Sequence, residues 1–244
     1  MAASRPPTDQ ELTTADGHRF TAHRAEPVDP PAGAPLGGVV VIQEIFGVNA
    51  HIRSVADRFA AAGYLALAPR LFDRLERGVE LAYDAEGVTR GQALAWDRLP
   101  IADAVTDVAA TADALAAELG GAGRVGVVGF CFGGMVAAAA AARIPDRIGA
   151  AVAYYPSLAA QLLVDDVVRA PLLVHLGDTD QRVTVADGET LRARWPEATY
   201  HRYHAGHGFN CDLRPGYDAP AAALAWDRTL AFLAHHLAPD PAPR

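Results

Sequence analysis

The chain has 244 residues, 51% of them hydrophobic and 20% charged, with a formal net charge of −8. A chain this apolar can offset its ordering entropy by burial, which excludes intrinsic disorder. An acidic chain with no Lys/Arg run is not built to grip nucleic acid. The length fits one or two domains, and α/β folds often spend this much chain on one. With no internal linker in the sequence, the expectation is a single domain over 1–244, with 1–13 and 238–244 as mobile tails. Aromatic residues are only 7%, so the core is expected to be Ala, Val and Leu.

In chain order, Thr14–Ala25 reads as an antiparallel strand and Glu26–Pro35 as a loop. Gly38–Gln43 is an apolar, β-branched run, a buried strand. Ile52–Ala62 has helical spacing and stops at Gly63. Tyr64–Ala68 is a short strand. Asp103–Leu119 is a helix, Arg124–Gly129 a strand and Phe132–Arg143 a helix. Ile148–Tyr154 and Pro171–Leu176 are strands, and Val185–Arg194 is a helix closing before Pro196. Thr199–Tyr203 is a strand and Ala219–Leu237 the last helix. Strands without polar alternation, alternating with helices, mean a mostly parallel sheet covered on both faces. Arg70–Pro100 fits this pattern poorly. It mixes charges, Tyr83, Trp96 and three glycines. As an irregular excursion after a strand end it is a candidate pocket wall, because open α/β sheets bind ligands at the carboxyl ends of their strands, and its plainer reading is a surface connection with a short helix.

Two stretches bear on compartment. Met1–Thr13 is polar and has no apolar h-region, so a cytoplasmic protein with Cys131 and Cys211 reduced is expected. Val125–Ala142 is uncharged over about eighteen residues, near the length of a membrane span. Its glycines and its alanine-rich second half fit a strand, a tight turn and a small-residue helix better, so no membrane partner is expected.

The strongest local signal is Gly129-Phe130-Cys131-Phe132-Gly133-Gly134, between a predicted strand and a predicted helix. This is the nucleophile-elbow pattern with cysteine in place of serine. The sharp turn would present Cys131 at a helix N-terminus, where the dipole favours a thiolate, and would aim the Phe132 amide at a developing oxyanion. A buried structural cysteine is the simpler alternative. Such a nucleophile needs a base and an orienter, in the chain order nucleophile, acid, histidine. Gly177-Asp178-Thr179-Asp180 follows a strand end, and either Asp178 or Asp180 could serve. His207, between two glycines before the last helix, is the natural base, whereas His201 and His204 lie nearer the strand. Upstream, Glu44 follows a buried strand, where a carboxylate is costly unless paired. The Ile45 amide is in the right part of the fold for a second oxyanion donor.

Gln43-Glu44-Ile45-Phe46-Gly47-Val48-Asn49, the Gly129–Gly134 elbow, Gly177-Asp178-Thr179-Asp180 and Ala205-Gly206-His207-Gly208-Phe209 together resemble the dienelactone hydrolase (carboxymethylenebutenolidase) family. The resemblance covers about Gly38 to Leu237. It implies an α/β-hydrolase fold and a triad on Cys131, Asp180 and His207, which selects Asp180 over Asp178. It also implies that Glu44 contacts the thiol and helps form the thiolate, and that no metal or organic cofactor is used. The chain departs from the pattern at one place. Well-known family members hold the substrate carboxylate with an arginine four residues after the histidine, a position occupied here by Cys211, with Arg214 close by as a substitute. A second family arginine is expected before Trp96, with Arg90 the nearest candidate. The resulting expectation is a hydrolase of a small lactone or activated ester, with the oligomeric state left open by the sequence and a monomer compatible with it. A thioesterase, a peptide-processing hydrolase and a non-catalytic binding protein on the same fold are the alternatives.

Overall fold

The computed structural model describes residues 8–28, 30, 33–121 and 124–237. Its centre is an eight-stranded sheet in the order β1-β2-β4-β3-β5-β6-β7-β8. The strands are β1 (Thr8–Thr13), β2 (Arg19–Ala25), β3 (Gly38–Ile42), β4 (Leu65–Pro69), β5 (Val125–Phe130), β6 (Ala150–Tyr154), β7 (Leu172–Gly177) and β8 (Thr199–Tyr203). β3 through β8 pair in parallel, while β1 and β2 form an antiparallel hairpin that joins along β4. The helices are α1 (Ala50–Ala61), α2 (Ala85–Gln92), α3 (Ile101–Leu119), α4 (Phe132–Arg143), α5 (Ala159–Leu162), α6 (Val185–Arg194) and α7 (Ala219–His236).

Successive side chains of a strand point to opposite faces, and the core divides accordingly. Val40, Ile42, Val125, Val127, Ala151, Ala153, Leu172 and Val174 pack on one side with residues of α3 and α4. Val39, Val41, Val128, Phe130, Val152, Tyr154 and Leu173 pack on the other with residues of α1 and α7. Both faces of β3, β5 and β6 are therefore dry, which is why these strands read as unbroken apolar runs. The uncharged 125–142 stretch is β5 followed by α4. Every residue of α4 from Phe132 to Ala142 is buried, so alanine is there to let a fully enclosed helix lie close to the sheet. Among the described residues no helix is long and apolar enough to cross a membrane.

One expectation needs correction. Thr8–Thr13 is not a tail but β1, paired with β2 from Thr8↔Arg24 to Thr13↔Arg19. Only Leu12 of β1 is buried, so its sequence carries little of the apolar alternation that marks a strand. Residues 1–7 and 238–244 lie outside the described residues. Within Arg70–Pro100, Ala85–Gln92 is a helix, with Asp84 capping it by accepting from Gly87 N at 2.8 Å. A π-helical turn over Ala93–Arg98 carries it on to α3.

Beneath the sheet's far face a buried polar chain ties α7 to three strands. His175 Nδ1 lies 2.7 Å from Tyr203 Oη, His175 Nε2 lies 3.0 Å from Thr229 Oγ1, and Tyr154 Oη lies 2.7 Å from the same Oγ1. Burial holds the His175 ring well below its ordinary pKa, and so neutral, with one nitrogen donating and the other accepting. Removing the shared hydroxyl leaves two buried groups unpaired, at about 1–3 kcal/mol each before relaxation. Thr229→Val is therefore expected to lower the unfolding free energy by roughly 2–4 kcal/mol in urea denaturation. A variant as stable as the parent would show that this chain does not anchor α7.

Candidate active site

The parallel register brings five strand ends to one edge of the sheet. Ile42 is opposite Gly129, Phe130 opposite Tyr154, Tyr154 opposite His175, and Gly177 opposite Tyr203. The residues just beyond those ends are Glu44 and Ile45, Cys131, Ser157, Asp180 and His207. Strand pairing alone thus gathers side chains spread over more than 160 positions of sequence.

Cys131 occupies the turn from β5 into α4 with φ 56° and ψ −113°, a sparsely populated conformation that costs about 1–3 kcal/mol. Its neighbours make the turn possible. A Cβ on Gly129 would lie 1.9 Å from Gly133 O, and one on Gly133 would lie 2.5 Å from both Ile42 O and Gln43 O. Both positions are closed to any side chain. Phe132 then opens α4, where amides lack an intrahelical acceptor.

His207 Nδ1 lies 2.8 Å from Asp180 Oδ2. The carboxylate is fixed in turn by the amides of Arg182 and Val183, which donate to Oδ1 at 2.7 and 3.0 Å. Asp178, the other candidate, pairs with Arg202 at 2.7 Å instead. The Asp180 bond directs the Nδ1 proton and leaves Nε2 toward the cavity. Nε2 has no hydrogen-bond partner among the described residues. Burial disfavours a charged ring here, but the Cys131 sulfur and the Asp180 carboxylate outweigh it and raise the His207 pKa to about 10. The Tyr155 ring stands edge-on to the imidazole at 5.0 Å.

Glu44 is fully buried, and both its oxygens are engaged. Tyr83 Oη donates to Oε2 at 3.0 Å and Arg214 Nη1 to Oε1 at 3.3 Å. The partner of Cys131 Sγ is Ser157 Oγ, at 3.2 Å. Arg214 folds back from its loop over the Phe46 and Tyr83 rings, at 5.7 and 5.4 Å. It fills space that a side chain at Gly208 would take, since a Cβ there would meet Nη1 at 2.8 Å.

These groups surround a cavity of about 330 Å³ lined by Ile45, Phe46, Val88, Gln92, Trp96, Cys131, Ser157, Leu158, Gln181, Arg182, His207 and Arg214. The Arg70–Pro100 segment supplies one wall through Val88, Gln92 and Trp96, and the Trp96 ring stands edge-on to Phe132 at 5.2 Å. α2 reaches the site because Gly91 has no side chain. A Cβ there would lie 2.3 Å from Ile45 O. Arg90 is not among the lining residues and pairs with Glu76 on the surface. Cys211 is also absent from the lining and is fully buried. Burial, followed by the Glu44 carboxylate, pushes its thiol up to about 11. Ser157 and Arg182 were not singled out by sequence. A lone serine after Pro156 and an arginine beside Asp180 have no local signature. Among the described residues no group of three His, Cys, Asp or Glu side chains is placed to hold a metal ion.

A mostly parallel sheet with a strained strand-to-helix turn at the end of β5 defines an α/β-hydrolase fold. The family described as "Dienelactone hydrolase family" matches residues 20–237, and the chain belongs to it. A carboxymethylenebutenolidase of Pseudomonas putida is 35% identical over 228 residues, covering 91% of this chain and 94% of that protein. A dienelactone-hydrolase-type crystal structure from Klebsiella pneumoniae matches with a TM-score of 0.78 and 32% identity, over 94% of this chain and 99% of that one. A dienelactone hydrolase-like promiscuous phosphotriesterase from metagenomic libraries matches with a TM-score of 0.73 and 25% identity, over 95% and 99%.

The two cysteines are both free and both buried, yet only Cys131 lines the cavity. Iodoacetamide at neutral pH is expected to label Cys131 and to spare Cys211 until the chain unfolds, as read by peptide mass mapping. Equal labelling of the two would contradict the cavity assigned to Cys131.

Proposed function

We propose that the chain hydrolyses lactones or activated esters through a Cys131–His207–Asp180 triad. The observation that carries this reading is the strained turn at Cys131, which sets the sulfur at the N-terminus of α4 and in the same cavity as a histidine oriented by a buried aspartate. The sulfur attacks the carbonyl carbon, and the oxygen takes the negative charge between the amides of Ile45 and Phe132. Collapse breaks the acyl C–O bond. His207, protonated at the outset, gives its Nε2 proton to the departing oxygen and is left neutral. It then takes a proton from water, which attacks the thioester and releases the acid, the thiolate and the protonated histidine. Asp180 holds the ring in register throughout.

Arg214 takes the place of the missing arginine at the Cys211 position. Nη1 is engaged by Glu44, and Nε and Nη2 remain to receive a carboxylate, which a guanidinium grips through parallel charge-assisted bonds. The apolar side of the cavity, with Ile45, Phe46, Val88, Trp96 and Leu158, accepts the ring or chain of the substrate. A small lactone bearing a carboxylate, of the dienelactone kind, fits both halves.

Two expectations test this reading. Cys131→Ala should abolish ester turnover while the thermal unfolding midpoint stays near the parent's, and Cys131→Ser should retain little, because an alcohol needs stronger base activation than a thiol. Near-normal turnover by the alanine variant would remove the mechanism. For Arg214→Gln, the ratio of kcat/KM on a carboxylate-bearing lactone to that on a neutral aryl ester should fall on the order of ten- to a hundredfold. The ratio cancels any loss of folded protein. An unchanged ratio would show that Arg214 does not hold the carboxylate.

A further inference from the structure

The hydrogen-bond partner of the Cys131 sulfur lies outside the triad. It is Ser157 Oγ, and no other hydrogen bond of that hydroxyl occurs among the described residues. The segment that delivers it is held by unusual means. Tyr155 and Leu158, on either side, have φ 36° and 60°, a region that residues with side chains rarely enter. Tyr155 N donates to His175 O at 2.8 Å, Cys131 N to Tyr154 O at 3.0 Å, and Ser157 N to Cys131 O at 3.2 Å. A Cβ on Gly134 would lie 2.5 Å from Tyr154 O and 3.2 Å from the Pro156 Cα. The loop after β6 is therefore pressed against the first turn of α4 and stitched to the backbone of Cys131 itself. Strained backbone of this kind persists where the surroundings over-determine it, and it gathers at functional sites. Its outcome here is a buried hydroxyl set beside the reacting sulfur.

A thiolate accepts hydrogen bonds and donates none, and a serine hydroxyl with no other partner has one proton to give. We propose that Ser157 is a positioning residue of this site, its hydroxyl donating to the Cys131 sulfur so as to favour the thiolate and hold it in one rotamer. This rests on the reading of Cys131 as the nucleophile. The charged and titratable groups around the sulfur are His207 with Asp180 behind it, Arg214 with Glu44, Arg182 at the rim, and Tyr155. His207 and Arg214 favour the anion. Glu44 opposes it, but is itself paired with Arg214 and Tyr83. Ser157 adds a donor without adding charge, and it keeps its proton throughout. The only proton to leave the sulfur is the thiol's own, and His207 Nε2 takes it.

Stabilising a thiolate also makes it a weaker nucleophile, because reactivity falls with basicity. The test uses that opposition. Iodoacetamide alkylation of Cys131 is followed from pH 5 to 10 by peptide mass in the parent and in Ser157→Ala. The acid limb of the variant should move up by about one pH unit, the size of one charge-assisted bond at about 1.4 kcal/mol. Its plateau should rise about threefold and its acid-side rate fall about threefold, so that the two profiles cross. Ser157→Thr should keep the parent's limb and Ser157→Val, of the same shape, should shift it. That pair carries the comparison even if alanine loosens the loop. Superimposed profiles, or a loss equal at every pH, would overturn the role of Ser157 while leaving the nucleophile in place. A parent whose Cys131 shows no acid limb would overturn the nucleophile reading, and this inference with it.

Discussion

Everything at the site depends on one backbone conformation, the positive φ at Cys131. The chain must leave β5, reverse, and enter α4 within a single residue. It can do so only because three backbones touch where side chains would stand. Gly129 meets Gly133, and Gly133 meets the end of β3. That contact fixes how close α4 lies to the sheet, and the closeness fixes the alanines behind it. The apolar enclosure of α4 is thus the structural counterpart of the cavity-lining sulfur at its head. Burial of eleven successive residues supplies the stabilisation against which the local strain is set.

The polar groups follow from the same placement. A sulfur at the sheet edge faces the loops after β3, β6, β7 and β8, and each supplies a different kind of contact. The β7 loop gives a carboxylate fixed by two amides, and the β8 loop gives the imidazole it orients. The β6 loop gives a neutral hydroxyl. The β3 loop gives a carboxylate whose charge is met by Arg214 and Tyr83 before it can act on the sulfur. A buried carboxylate without such partners would be far too costly to retain. The Arg214–Glu44 pair is therefore part of the condition for Glu44 to sit where it does.

Much of this was legible from residue order. The strands β3 to β7 stand out because burial on both faces leaves no polar alternation. Cys131 and His207, with Asp178 and Asp180 between them, stand out because they follow strand ends in the order nucleophile, acid, histidine, and the family resemblance alone selects Asp180. What was not legible has specific causes. β1 is an edge strand with one buried residue, Leu12, so its sequence resembles a polar tail. α2 contains Gly87 and Gly91, which argue against a helix on propensity. They are required because Ala82 O and Ile45 O lie where their side chains would be. Ser157 has no motif, since its placement comes from the backbone strain of Tyr155 and Leu158. Arg90 lay at a plausible distance before Trp96, but helix α2 turns it toward Glu76 and away from the cavity.

The loop between β8 and α7 carries both His207 and Arg214, and Gly208 lies between them against the guanidinium. In this chain the imidazole of His207 and the guanidinium of Arg214 are mechanically one piece. A substitution that re-aims Arg214 presses on the residue next to His207, and one that enlarges Gly208 displaces the guanidinium. On the proposed function, substrate preference and turnover therefore cannot drift separately on this loop. The wall formed by Val88, Gln92 and Trp96 shares no backbone segment with Cys131, Asp180 or His207, and it is the part of the cavity that can be reshaped without disturbing how those three are placed.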